Sequence, residues 1–235
     1  MQESKKAIER VEPQSPTFVS KAGLADAFSI AQSILEKEKQ LHELGGRHSG
    51  IIHAHSELWC AIYLDLDLPK TGVSKGPDAW VRSDLKVPLR INGSLQIKAR
   101  GSTETMHITF KTKHKERHLN WLIVMIYNLS GLEPTWKCYL MSVGDLIELV
   151  ELFTEEQKGT FPLRWEGADK DTLRLDWSAL FASHAKVGRV RNCKVDEKWE
   201  DRAGRATRIT ENMWLWNSQN KMFKRYAEES VRLRT

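Results

Sequence analysis

Residues 94–100, SLQIKAR, are the stretch on which both the expected fold and the expected site depend. Because strand side chains alternate between the two faces of a sheet, Gln96 and Lys98 point to the same face. The intervening apolar side chains point the other way, into a core: Leu95, Ile97, Ala99. Upstream, residues 76–81, GPDAWV, place Asp78 in another apolar run. If the two runs pair, a carboxylate, an amide oxygen and an ammonium group meet at one place, which suits a divalent cation and a phosphate.

Composition sets broad limits on the kind of protein. The chain has 235 residues, of which 40% are hydrophobic, enough for one large domain or a core with a smaller lobe. The net charge of +5 is mild, so the distribution of charge matters more than its sum. The three cysteines, at 60, 138 and 193, lie too far apart for a disulfide framework or a common zinc motif. A polar beginning and no long apolar run lead us to expect a cytoplasmic protein that does not contact a membrane.

The apolar spacing predicts helices followed by strands. Helical periodicity covers residues 21–44, with Ser20 as the cap, and residues 49–66. A third helix is expected over residues 143–156. Strand-like runs lie between the second and third helices, at residues 79–82, 87–91, 95–100, 106–111, 119–127 and 135–141. Since residues 122–126 are continuously apolar, we expect a central strand covered on both faces, and therefore a mixed α/β sandwich.

The chain divides into three parts by composition. Residues 1–17 form a polar arm, residues 18–158 a core, and residues 159–235 a C-terminal lobe rich in tryptophan and basic residues. The lobe contains five of the nine tryptophans, which are more often core anchors than stacking platforms for bases. A final amphipathic helix is predicted over residues 217–233.

Pro77-Asp78, followed after seventeen residues by Gln96-Ile97-Lys98, resembles the PD-(D/E)xK nuclease superfamily, with its restriction-endonuclease-like fold. The resemblance covers residues 20–155. It implies that Asp78 and the residue at position 96 hold Mg²⁺ and that Lys98 positions or activates the attacking water. A glutamate on a preceding helix often joins them in this family, and Glu57 matches it by order. Gln96 departs from the usual Asp or Glu, as in the Mrr-like branch.

Phosphodiester hydrolysis brings a charged oxygen to an anionic phosphorus, and bound Mg²⁺ activates water and neutralises the developing charge. Two carboxylates, Asp78 and Glu57, with the amide oxygen of Gln96 make a partial ligand shell. The charge missing at Gln96 predicts weak, millimolar-range Mg²⁺ binding or a preference for Mn²⁺. His53 and His55 also precede Glu57, but residues two apart on a helix diverge, so we expect a core or supporting role for them.

A basic band follows the expected catalytic strand. Alternate lysines on one strand face would suit the tracking of phosphates, although such lysines also protect strand edges from aggregation. A second basic segment covers residues 186–208. The expected nucleic-acid-binding residues are Arg100, Lys111, Lys113, Lys115, Arg117, Arg189, Arg191 and Lys194.

These observations together predict a Mg²⁺-dependent DNA endonuclease of the restriction or defence type. A homodimer is expected, because cutting both strands usually takes two sites. Two alternatives remain open. One is a DNA-binding or assembly protein of the same fold that has no catalytic activity. Gln96, in place of an acidic residue, is the best support for this alternative. The other is a ribonuclease.

Overall fold

The computed structural model describes residues 18–43, 51–69, 76–81, 93–101, 107–114, 117–129, 133–151, 162–177, 180 and 209–227. Its helices are α1 (Lys21–Glu43), α2 (Ile51–Tyr63) and α3 (Val143–Glu151). Its strands are β1 (Leu66–Asp67), β2 (Ala79–Val81), β3 (Ser94–Gly101), β4 (His107–Lys111), β5 (Lys113–His114), β6 (Arg117–His118), β7 (Trp121–Asn128), β8 (Thr135–Ser142), β9 (Leu163–Glu166), β10 (Thr172–Asp176), β11 (Met213–Asn217) and β12 (Met222–Arg225). None of the described helices is both long and apolar enough to cross a membrane.

Seven strands form the main sheet, in the order β1-β2-β3-β7-β8-β11-β12. Strands β3 and β7 run parallel, and the other neighbours run antiparallel. The central strand β7 contains the apolar run at residues 122–126, which confirms the prediction for that run. The fold is therefore mixed α/β, as predicted.

The two faces of the main sheet are covered differently. Ile123, Met125 and Tyr127 share one core with α1 and α2, whereas Leu122 and Val124 point to a second core. A three-stranded sheet, β4-β10-β9, and α3 cover that second face. Alternation of side chains along β7 thus supplies both cores, which explains why the run has no polar member.

Local signals at the first two helices act largely as expected. The Ser20 hydroxyl accepts a hydrogen bond from the Gly23 N–H at 3.2 Å, so Ser20 caps α1 as predicted. Helix α2 ends at Tyr63, earlier than the predicted residue 66, because Asp65 takes a left-handed φ of 53° and Leu66 already pairs in β1. That early end leaves β1 to form one edge of the main sheet.

The C-terminal third differs from the prediction. Strand β11 pairs with β8, and β10 pairs with β4, so the described strands of residues 159–235 belong to the two sheets of the core. The helix predicted over residues 217–233 is wrong over 217–225, where β11 turns into β12. The turn contains Lys221 at a φ of 50°, which breaks the helical path. The strand expected at 87–91 and the basic segment at 186–208 lie outside the described residues.

Candidate active site

Asp78 directly precedes β2, and both its backbone and its side chain form hydrogen bonds to β3. The Asp78 N–H donates to the Leu95 carbonyl at 2.9 Å, which begins the β2–β3 ladder. Its carboxylate oxygen Oδ2 accepts from the Ile97 N–H at 2.8 Å and from the Gln96 side-chain amide at 2.5 Å. Among the described residues, β2 pairs with β3 at Ala79–Leu95 and Trp80–Ser94, so the Asp78 carboxylate meets the next residues of β3 instead of a continued strand. Asp78 therefore lies in a notch at the edge of β3.

Gln96 supports Asp78 through its nitrogen. The residue is only 6% exposed, and its amide N–H group donates to the carboxylate, as charge requires. The sequence predicted instead that the Gln96 oxygen would serve the same cation as Asp78. A glutamate at this position would bring two carboxylates into contact, which needs a shared proton or a cation. The neutral amide thus donates to Asp78 without adding a second negative charge.

Lys98 lies two residues further along β3, on the same face as Gln96. The two residues stand opposite Val124 and Leu122 of β7, respectively, which confirms the predicted alternation. Leu95, Ile97 and Ala99 are buried on the other face, with the helices. Lys98 is half-buried on the second face of the sheet.

Glu57 approaches the notch from α2. Burial, first, and the negative charge of Asp78, second, raise the pKa of Glu57 to about 7, while the positive charge of Lys98 opposes them. Glu57 therefore lies within electrostatic range of both Asp78 and Lys98. We name Glu57, Asp78, Gln96 and Lys98 the carboxylate–lysine site. Of these four predicted residues, Asp78 and Gln96 are in direct contact, and Glu57 interacts electrostatically with Asp78 and Lys98.

The floor of this site is apolar. Cys60, one helical turn beyond Glu57, is fully buried, and its thiol donates to the Met125 sulfur at 3.7 Å. Burial raises the pKa of the Cys60 thiol, and the negative charges of Glu57 and Asp78 add to that effect. The buried Cys60 thiol is neutral, so it adds no charge near Glu57 and Asp78.

The donor set suits Mg²⁺ in its chemistry. Among the described residues, no three His, Cys, Asp or Glu side chains form a metal-binding group. Glu57 and Asp78 supply two carboxylates, and Gln96 supplies an amide. Mg²⁺ commonly takes one or two carboxylates and keeps several waters, so this smaller set fits it.

The two histidines of α2 lie away from this chemistry. His55 is fully buried and bridges the Tyr127 hydroxyl at 2.7 Å and the Gln32 side-chain oxygen at 2.9 Å. Burial lowers the pKa of His55 to about 4, so its ring is neutral at pH 7. His53 is exposed. The predicted core role is confirmed for His55.

The basic band does not form one strand face. Strands β5 and β6 pair antiparallel, so Lys113 and Arg117 lie on different strands of a two-stranded sheet. Alternation along the sequence alone did not indicate this. Arg100 donates to the neighbouring Ala99 carbonyl at 2.9 Å, and Lys111 pairs with Asp171 at 3.7 Å. Lys113 is exposed. The remaining predicted nucleic-acid contacts lie outside the described side chains: Lys115, Arg117, Arg189, Arg191 and Lys194.

Sequence reasoning missed a cavity of about 700 Å³ beside the start of β8 and the end of β11. Four aromatic residues line it, and we name it the aromatic cleft: Trp59, Tyr63, Trp136, Trp216. The alternation of Trp214 and Trp216 with apolar neighbours was the signal that could have indicated β11. That strand was missed because a helix was predicted directly after it, over residues 217–233.

No family profile matches the chain, and no curated protein matches it.

Proposed function

We propose that this chain is a metal-dependent DNA endonuclease of the PD-(D/E)xK type, with a restriction-endonuclease-like core. One observation carries the proposal: Asp78, which is hydrogen-bonded to β3, and Lys98 on β3 both interact electrostatically with Glu57 on α2. The raised pKa of Glu57 adds to it, because carboxylates crowded into a partly buried space are typical of sites that hold a cation.

Each side chain has a role that follows from its position. Glu57 and Asp78 would hold Mg²⁺, which when bound supplies Lewis-acid activation of water and charge neutralisation. Gln96 donates to Asp78 and so orients its carboxylate. Lys98 presents a positive charge from the other face of β3, where it would orient the attacking water or a phosphate oxygen.

The second candidate is a DNA-binding or assembly protein of the same fold that lacks catalysis. A specific observation favours it: Asp78 Oδ2 already accepts two hydrogen bonds from β3. Such bonds give this carboxylate a structural use that needs no cation. The two candidates differ in whether Lys98 matters, because Lys98 has no part in that structural arrangement.

A plasmid-cleavage assay with Mg²⁺, Mn²⁺ or EDTA tests the proposal on wild type, Asp78→Ala and Lys98→Ala. We expect nicking or linearisation that needs the divalent cation and falls by about 10²-fold or more in both variants. Asp26→Ala and Lys37→Ala are matched controls, because both side chains are exposed on α1. Equal cleavage by wild type and both site variants would overturn the nuclease proposal.

The same assay separates the other candidates. Cleavage of single-stranded RNA but not of DNA, with the same dependence on Asp78 and Lys98, would indicate a ribonuclease. DNA binding without cleavage of either substrate would indicate the non-catalytic protein. We propose a homodimer and a defence role with the endonuclease, and sedimentation of the protein with and without DNA measures the oligomeric state.

A further inference from the structure

The aromatic cleft is the second place in the described structure where side chains suited to a ligand converge. It lies beside the first residues of β8 and the last residues of β11, and the final turns of α2 close one side. Its volume of about 700 Å³ falls within the usual range for small-molecule sites. The space is therefore large enough for a nucleotide together with ordered water.

Ring packing holds the aromatic walls in place. Trp59 stacks on Tyr63 with centroids 5.0 Å apart and meets Trp216 edge-on at 5.5 Å. Trp136, which also lines the cleft, packs edge-on against the buried His55 ring at 4.9 Å. Tyr63 nevertheless remains 44% exposed. Rings that are fixed by neighbours and still open to solvent offer a surface on which a planar group can stack at small entropic cost.

The charge at the rim is positive. Lys137 and Lys221 are exposed and line the cleft, and none of the described residues that line it carries a carboxylate. Lys221 lies on the β11–β12 turn, which is held by the Asn220 N–H donating to the Asn217 side-chain oxygen at 3.0 Å. Two lysines beside stacked aromatic rings favour an anion with a planar aromatic part and disfavour a cationic ligand.

We propose that the aromatic cleft binds a nucleotide. Its base stacks on the walls formed by Trp136 and Trp216, and its phosphate meets Lys137 and Lys221. The amide and hydroxyl groups of Gln219 and Ser218 are available at the rim for the base edge. The ligand comes either from free nucleoside phosphates or from an unstacked nucleotide of a single strand. The site stands on the cleft alone and does not require nuclease activity.

Binding is measured with the full chain in EDTA, so that hydrolysis cannot interfere. Fluorescence anisotropy follows labelled dT12 and an abasic strand of the same length, and calorimetry follows dAMP and dTMP. We expect the nucleotide ligand to bind. Binding of the mononucleotides identifies a free nucleotide as the ligand, whereas binding of dT12 alone identifies a single strand. If neither binds, or if the abasic strand binds as tightly as dT12, the proposal is overturned.

Two variants test the walls and the rim. Trp216→Ala should weaken binding about ten-fold or more, since a base loses a stacking surface. Trp80→Ala is its control, because Trp80 is half-buried beside Phe18 and does not line the cleft. The double variant Lys137→Glu with Lys221→Glu changes only exposed side chains, so it preserves the fold, and it should also weaken binding about ten-fold or more at low salt. Unchanged binding in this double variant would overturn the proposal even if Trp216→Ala failed to fold.

Discussion

The carboxylate–lysine site and the aromatic cleft both include residues of α2, but they affect the free energy of folding in opposite directions. Glu57 turns towards β2 and β3, while Trp59 and Tyr63, four residues apart, line the cleft. The first site crowds like charges into a poorly hydrated notch, which costs folding free energy. In the second, ring packing contributes to folding. Only the first site therefore lowers the stability of the fold, as the raised pKa of Glu57 indicates. A cost in stability is a common property of sites that are kept for function.

The largest expected effect separates the two sites completely. If the chain is the proposed nuclease, Lys98→Met should lower cleavage by about 10²-fold or more, because it removes the positive charge that would face the reacting phosphate. Binding of dT12 to the cleft in EDTA should change by less than about two-fold, since Lys98 does not line the cleft. Plasmid cleavage and anisotropy on the same preparation check both parts. A parallel loss of dT12 binding would show that the sites are coupled and would break the comparison.

Removing Asp78 tests how much the notch depends on its carboxylate. Asp78→Ala should lower the free energy of unfolding by about 1–3 kcal/mol, because the Ile97 N–H and the Gln96 amide lose their acceptor. Urea denaturation at pH 7 measures this, with Asp26→Ala as the exposed control. A variant as stable as wild type would show that water replaces the carboxylate at no cost.

Glu57 gives a dependence of stability on pH with a definite sign. Its pKa is raised to about 7 in the folded protein. Stability from this group is therefore fully present below its unfolded value and is lost as pH rises through 7. Glu57→Gln should remove that loss and raise the free energy of unfolding by about 1–3 kcal/mol at pH 8, with little change at pH 4.

Urea denaturation of wild type and Glu57→Gln between pH 4 and pH 8 checks this prediction. His55 has the opposite effect on stability. Its pKa is lowered to about 4, so its contribution to the free energy of unfolding is lost as pH falls below 6.5. Glu57→Gln should therefore show clearly the loss of stability towards acid that His55 causes. In wild type, the opposing effects of Glu57 and His55 on the free energy of unfolding partly cancel. Identical pH profiles for the two proteins would contradict the burial of Glu57 charge.

The smallest effect concerns the missing charge at position 96. Gln96→Glu adds a carboxylate beside Asp78, so it should lower the Mg²⁺ concentration for half-maximal cleavage by about ten-fold. In EDTA the same variant should be less stable than wild type, because the added charge repels Asp78. A cleavage titration and thermal unfolding measure the two effects. Tight Mg²⁺ binding that is the same in both proteins would contradict the role given to Gln96.

The sequence predicted the carboxylate–lysine site because that site is mostly local. Asp78 and Gln96 are separated by a short connection, and strand alternation alone places Gln96 and Lys98 on one face. What it missed was the atom that Gln96 uses: its nitrogen contacts Asp78, so the two side chains form a hydrogen bond before either meets a cation. Periodicity specifies the direction of a side chain but carries no information about which end of an amide faces a neighbour.

The chain by itself determined α1, α2, the strands around Asp78 and Gln96, and the central strand β7, because helix and strand periods follow from backbone geometry and burial. Only the tertiary structure decided where the C-terminal strands go. Pairing of β11 with β8 brings Trp216 to Trp59 across more than half of the chain, and that contact forms the aromatic cleft. Apolar strands can pair with many partners, so the choice depends on how the whole core packs, which no short stretch encodes.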